Sequence, residues 1–143
     1  MTRALGIDYG RRRLGLALSD EDGILASPLP TLRRGRLEDD AQALAGLAAR
    51  SGANRVVVGL PQNMDGSLGG MAREVLAFVD ALRRASGLEV TTFDERLTST
   101  EAERVLAEAG LAPRRKKILR DGLAAVLILQ GDLDRHRSPP PSH

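Results

Sequence analysis

Hydrophobic positions early in the chain fall into short blocks with strand character. Residues 3–9 (Arg-Ala-Leu-Gly-Ile-Asp-Tyr) read as a strand whose apolar run is interrupted by Asp8. Gly10 and three arginines follow as a turn. Residues 13–19 (Arg-Leu-Gly-Leu-Ala-Leu-Ser) read as a second strand, closed by the polar turn Asp20-Glu21-Asp22-Gly23. Residues 24–32 suit a third strand, and Pro28 and Pro30 assign it to a sheet edge, where missing donors do no harm. Turns this short imply an antiparallel meander, since a parallel crossover needs a dozen or more residues.

The period then changes. Leu37, Ala41, Leu44 and Ala48 recur at helical spacing up to Gly52. Residues 55–60 (Arg-Val-Val-Val-Gly-Leu) form a β-branched run typical of a buried strand. A loop rich in Gly, Asn and Asp follows, from Pro61 to Gly70. Met71, Val75, Phe78, Val79 and Leu82 mark a second helix, stopped near Gly87. Residues 88–93 (Leu-Glu-Val-Thr-Thr-Phe) make a fifth strand ending at Asp94-Glu95-Arg96. Thr98 and Glu101 form a capping box that opens a third helix running to Gly110. The basic run Arg114-Arg115-Lys116-Lys117 leads into a last helix from Ile118 to about Leu133. The order βββαβαβαα predicts an α/β domain over residues 1–134. It comprises a mixed five-stranded sheet, its first three strands antiparallel, flanked by helices. That is the element order of the ribonuclease H-like fold. Residues 135–143, polar and Pro-rich, are expected to form a disordered tail.

Composition narrows the chemistry. The 143 residues contain no Cys, which removes disulfides, thiolate nucleophiles and Cys-type metal sites. The two histidines, His136 and His143, lie near the Pro-rich end, so the body offers no Ser-His-Asp triad and no His-based zinc site. Carboxylates, arginines, hydroxyls and the backbone must do the work. The net charge is only +2, from 21 cations against 19 anions, so the placement of charge matters more than its sum. The N-terminus lacks a signal-peptide pattern, and no apolar run approaches the roughly 20 residues that span a bilayer. A soluble cytoplasmic protein is expected.

Acids at three places interrupt or end apolar elements. Asp8 ends what should be a central strand, and a buried carboxylate there needs a cation or a metal. Asp94 and Glu95 end the fifth strand; if it runs parallel to the first, they reach the same sheet edge, where ligand sites form. Asp121 lies just before an apolar stretch in the last helix. Ala124 and Ala125 share its face and let that helix approach the sheet. Singly, each acid also suits a turn, a helix entry or an ion pair. Together they suggest one oxygen-ligand site for Mg²⁺ or Mn²⁺ and metal-assisted phosphoryl transfer.

Basic runs neighbour these acids. Arg11, Arg12 and Arg13 follow Asp8, and Arg114, Arg115, Lys116, Lys117 and Arg120 precede Asp121. They read either as solvated turns or as contacts to a phosphate backbone. Three aromatic residues in all argue against a base-stacking platform. Asn63 and Asp65, after the fourth strand, are turn formers or contacts to substrate.

Four segments together resemble the YqgF/RuvX family, relatives of Holliday junction resolvases described as pre-16S rRNA nucleases. They are Gly6-Ile7-Asp8-Tyr9-Gly10 with Arg13-Leu14-Gly15-Leu16-Ala17; Val57-Val58-Gly59-Leu60-Pro61 with Asn63-Met64-Asp65-Gly66; Asp94-Glu95-Arg96-Leu97-Thr98-Ser99; and Asp121-Gly122-Leu123-Ala124-Ala125 with Ile128-Leu129. The resemblance implies a ribonuclease H-like fold and a divalent-metal nuclease. It places Asp8, Glu95 and Asp121 as catalytic and metal-binding acids. Arg11–Arg13, Asn63, Asp65, Arg96 and Arg114–Lys117 are then expected to meet structured RNA or branched DNA. Many resolvase relatives carry two neighbouring acids on the last helix, whereas here only Asp121 lies in that region, with Asp132 three turns on. A two-fold dimer would suit paired cuts in a junction. Two other readings are a non-catalytic nucleic-acid-binding factor and a small-molecule phosphotransferase. The latter is disfavoured because such enzymes duplicate this core and 143 residues hold one copy.

Overall fold

The computed structural model describes residues 3–63, 65–97, 110 and 112–137. Strands β1 (Arg3–Tyr9), β2 (Arg13–Ser19) and β3 (Ala26–Arg33) precede helix α1 (Leu37–Ser51). Strand β4 (Ala53–Leu60), helix α2 (Gly70–Ser86) and strand β5 (Glu89–Asp94) follow. A single 3₁₀ turn (Glu95–Leu97) comes next, and the last described helix is α3 (Pro113–Arg137). The helix expected from the Thr98–Glu101 capping box lies outside the described residues. Helices α1 and α2 both stop at a left-handed glycine, Gly52 (φ 75°) and Gly87 (φ 68°), whose N–H groups bond carbonyls of the last turn.

The sheet runs β3-β2-β1-β4-β5. β1 pairs antiparallel with β2, and β2 with β3; β1 pairs parallel with β4, and β4 with β5. The meander, the parallel half and the edge position of the proline-bearing β3 are those the pattern predicts. The carboxyl ends of β1, β4 and β5 therefore share one edge of the sheet.

Pleating separates two cores. Leu5, Ile7 and Tyr9 of β1, Leu14 and Leu16 of β2, and Val56, Val58 and Leu60 of β4 face α1 and α2. The alternate residues Ala4, Ala17, Val57 and Phe93 pack against Ala125, Val126, Ile128, Leu129 and Leu133 of α3. The residues beneath α3 are small because the helix lies close. A Cβ added at Gly6 would sit 2.7 Å from Leu129 Cβ, and one at Gly131 would sit 2.7 Å from Phe93 Cζ. Gly122 faces the backbone of β2 and β3, within 3.3 Å of the Leu16 carbonyl.

Three expectations about α3 change. It begins at Pro113, a residue preorganised for the first helical position, so the basic run belongs to the helix itself. It also continues to Arg137, three residues into the expected tail, with Arg135, His136 and Arg137 opposite the negative helix end. Ala125 is fully buried, but Ala124 is exposed; of the two, only Ala125 lies on the contact face. No helix among the described residues is long and apolar enough to cross a membrane.

Gly6→Ala should destabilise the protein by roughly 1–3 kcal/mol, because the packed helix must shift to admit a methyl group. Gly46→Ala in α1, where the added Cβ meets only the flexible end of Arg50 at 3.1 Å, should be neutral or gain up to about 1 kcal/mol. Urea unfolding of both variants decides; equal midpoints would contradict the close approach of α3.

Candidate active site

Asp8 is the penultimate residue of β1. The pleat that sends Ile7 and Tyr9 toward α1 and α2 sends Asp8 to the α3 side. Its antiparallel partner is Gly15, where a Cβ would lie 3.3 Å from Asp8 Cβ and 3.6 Å from the Asp121 carbonyl. Glu95 enters from the turn after β5. At Gly59, the β4 residue opposite Phe93, a Cβ would lie 2.7 Å from Glu95 Oε1 and would also collide with Ile128. Gly15 and Gly59 thus leave the space that the acids occupy. Glycine inside a strand is the signal for such a close approach, and the motif pattern alone did not single these two out as site residues.

Asp8 and Glu95 are joined by a side-chain hydrogen bond. Two carboxylates have no proton to share when both are ionised, so the bond needs a proton on one of them. Burial raises the pKa of Asp8, opposed by its bond to Glu95. Burial, the Asp8 charge and bond, and the nearby Asp94 charge push Glu95 up to about 7. Near neutral pH the pair therefore holds a proton in the absence of a compensating cation.

Asp121 reaches the same region from α3, in the helix interior rather than at its entry. Its Oδ2 lies 3.9 Å from Arg13 Nη1. Among the described residues, no three acids converge closely enough to hold an ion. Asp8 and Glu95 form the pair, and Asp121 stands beside them facing Arg13. Asp132 is remote. Eleven residues along a helix span about 16 Å, and Asp132 is buried in a 2.7 Å ion pair with Arg55 near the start of β4. It is a structural residue.

The neighbouring polar groups hold the loops. Asp94 accepts bonds from Arg96 Nε (3.0 and 3.1 Å), Nη2 (2.7 Å) and backbone N–H (2.9 Å). Its carboxyl is held below the usual range by the Arg96 side chain and then by that N–H. Arg96 Nη2 also donates to Gln62 Oε1 at 3.2 Å, tying β5 to the loop after β4. Asn63 and Asp65 take the turn-forming role. Asp65 accepts from the Ser67 N–H and hydroxyl, Asn63 Nδ2 donates to the Ser67 hydroxyl, and the Asn63 carbonyl accepts from Gly66. Arg11, Arg12 and Arg13 stand exposed on the turn after Asp8, and Arg114–Lys117 stand exposed on the first turns of α3, ahead of Asp121.

Residues 2–135 match the model of the RuvX family, described as Holliday junction resolvase. The chain belongs to the RuvX family. A relative from Moorella thermoacetica named "Putative pre-16S rRNA nuclease" is 50% identical over 133 residues, covering 93% of this chain and 95% of the relative. A Desulforudis audaxviator protein of the same name is 43% identical, covering 95% of this chain and 96% of that protein. Among solved structures, Thermus thermophilus RuvC bound to a Holliday junction aligns with a TM-score of 0.60 at 15% identity, covering 99% of this RuvX chain and all of RuvC. The fowlpox virus resolvase aligns at 0.57 and 11%, covering 94% and 99%. At such identities the likeness is one of fold, and it establishes the ribonuclease H-like architecture for this RuvX protein.

The carboxyl pair makes stability depend on pH. Glu95 is raised on folding, so its favourable contribution is complete below its unfolded pKa of about 4.5 and is lost as pH rises through about 7. After chelation of metal, the Tm of the wild type should fall relative to Glu95→Gln between about pH 4.5 and 7. Parallel Tm curves for the two proteins would contradict the carboxyl pair.

Proposed function

We propose that this protein is a divalent-metal-dependent nuclease that hydrolyses phosphodiester bonds in structured nucleic acid, with precursor 16S rRNA ends as its substrate in the cytoplasm. The observation that carries the reading is the half-buried pair Asp8 and Glu95 at the carboxyl edge of a resolvase-like sheet. The names of relatives up to 50% identical over nearly their whole length favour RNA as substrate.

The site fits a hard cation. Its donors are all carboxylate oxygens, which suit Mg²⁺ or Mn²⁺, and the pair can ionise fully only where positive charge balances it. Asp8 and Glu95 would hold the ion, and Asp121 would complete the set on release from Arg13. A bound divalent cation supplies Lewis-acid activation of water and of the phosphoryl oxygen. The chain's own residues do the rest. Asp8, held by β1, and Glu95, held by the turn after β5, set the position of the reacting phosphate. Arg96 and Asp94 brace that turn against the loop containing Asn63 and Asp65, which shapes one lip of the site. Arg11–Arg13 and Arg114–Lys117 draw the phosphate backbone in from either side. The expected products carry a 5′-phosphate and a 3′-hydroxyl.

End-labelled precursor 16S rRNA and a four-way DNA junction, each incubated with Mg²⁺, Mn²⁺ or EDTA, test this reading. Cuts in the RNA that need metal and vanish in Asp8→Asn support it. The loss should exceed the 10–100-fold that removal of an outer-shell partner costs, with the variant still folded. Cuts confined to the junction would replace RNA by branched DNA and call for a two-fold dimer. Binding of both nucleic acids without cleavage by either protein would make the chain a non-catalytic factor.

A further inference from the structure

The acid edge of the sheet opens sideways into a second feature. A cleft of about 710 Å³ is lined by Arg11, Arg12, Arg13, Thr31, Arg33 and Arg34. Five guanidinium groups from two separate segments meet there, and no acid is among the described residues that line the cleft. Among the described residues, only Arg13 of the five forms an ion pair, with Asp121. Like charges packed together destabilise a fold, so the arrangement calls for an anion.

The cleft is built rather than incidental. Arg13 and Arg33 are cross-strand partners on β2 and β3, which sets them side by side. The turn carrying Arg11 and Arg12 is pinned by backbone bonds from Gly10 N–H to the Arg13 carbonyl (3.0 Å) and from Arg34 N–H to the Arg12 carbonyl (2.9 Å). Arg34 adds Nη1 bonds to the Gly10 (3.0 Å) and Arg11 (3.2 Å) carbonyls. Its guanidinium lies 4.2 Å from the centre of the buried Tyr9 ring, a cation–π contact that immobilises it. Arg34 is therefore a positioning residue, and Arg11, Arg12 and Arg33 keep their forks available. A smaller depression beside it, lined by Arg11, Arg34, Gly70, Met71 and Glu74, brings an acid near the rim.

We propose that this arginine cleft holds the phosphate backbone of one flank of the nucleic-acid substrate, on the β3 side of the cut. The inference rests on the nuclease reading and specifies its geometry. Arginine forks match phosphate oxygens in paired bonds. The cleft is continuous with the acids through Arg13, so one strand can touch both. β3 lies two strand spacings from β1, about 10 Å. At roughly 3.4 Å per nucleotide along a stacked strand, the cleft meets the phosphates about three nucleotides from the scissile bond. A free nucleotide would fill only part of a groove lined along both sides by cations.

Binding without chemistry tests the cleft. A fluorescein-labelled RNA hairpin carrying the mapped cut site is titrated in EDTA by anisotropy, across a range of KCl concentrations. The proteins are wild type, Arg11→Ala/Arg33→Ala, Arg11→Lys/Arg33→Lys, and Arg50→Ala/Arg84→Ala. The last removes two exposed arginines from the final turns of α1 and α2, at the opposite sheet edge.

The cleft alanine variant should bind about tenfold more weakly at moderate salt. Its slope of log affinity against log salt should flatten by about 1.5, as expected for two lost phosphate contacts. The lysine variant should keep the slope, which separates charge loss from misfolding. The opposite-edge control should change neither quantity. Methylphosphonates placed about two to four nucleotides from the cut should weaken wild-type binding on one side only, and should have no effect in the alanine variant.

Equal slopes for wild type and the cleft alanine variant would overturn the proposal. So would displacement of the RNA by micromolar nucleoside triphosphate or inorganic phosphate, which would make the ligand a small anion. Weakened binding with no metal-dependent cleavage would remove the nuclease and leave the cleft. Cleavage with an unchanged salt slope would remove the cleft and leave the nuclease.

Discussion

Helix α3 lies directly on the sheet, and that contact organises both the core and the acid edge. It requires a floor of Gly6, Gly15, Gly59, Ala4 and Ala17, and matching small residues at Gly122, Ala125 and Gly131 on the helix. Ordinary side chains on this face would lift the helix by ångströms. Asp121 would then move away from Asp8, and Ile128 and Glu95 would lose their places beside Gly59. The packing that stabilises this layer is thus the same packing that positions the chemistry.

Two Asp residues on α3 show how position decides role. Asp121 and Asp132 are eleven residues apart on the same helix. Asp132 meets Arg55 in a buried 2.7 Å ion pair near the amino ends of the parallel strands. Asp121 lies at the carboxyl ends, where Asp8 and Glu95 already crowd two acids together and the cation facing it, Arg13 at the exposed start of β2, is 3.9 Å away. Close pairing balances the charge of one acid. The loose contact leaves the other able to exchange partners.

Positive and negative charge are likewise segregated. The acids point to the α3 side of β1 and the turn after β5, while the arginines of the β1–β2 turn and the end of β3 line the adjoining cleft. Arg13 stands at the boundary. A polyanion approaching this edge meets cations first and carboxylates at the end of its path, the order that the proposed nuclease reading requires.

Most of the fold was legible in the chain because its signals are local. The β-branched run Val56–Val58, the prolines of β3 and the capping glycines Gly52 and Gly87 each name an element through short-range physics. Asp8 stands out in the chain because a carboxylate inside an apolar strand needs a partner, and the structure joins it to Glu95. Helix α3 was read too short because its first turn is all charge, and periodicity has no purchase on such a stretch. What only the tertiary structure decided was partnership. Sequence order does not say which cations Asp121 and Asp132 meet, cannot bring Arg33 and Arg34 beside Arg11, and cannot show Glu95 bonded to Asp8. Those facts depend on strand register and on how closely a helix can approach a sheet, and both are set by contacts between residues far apart in the chain.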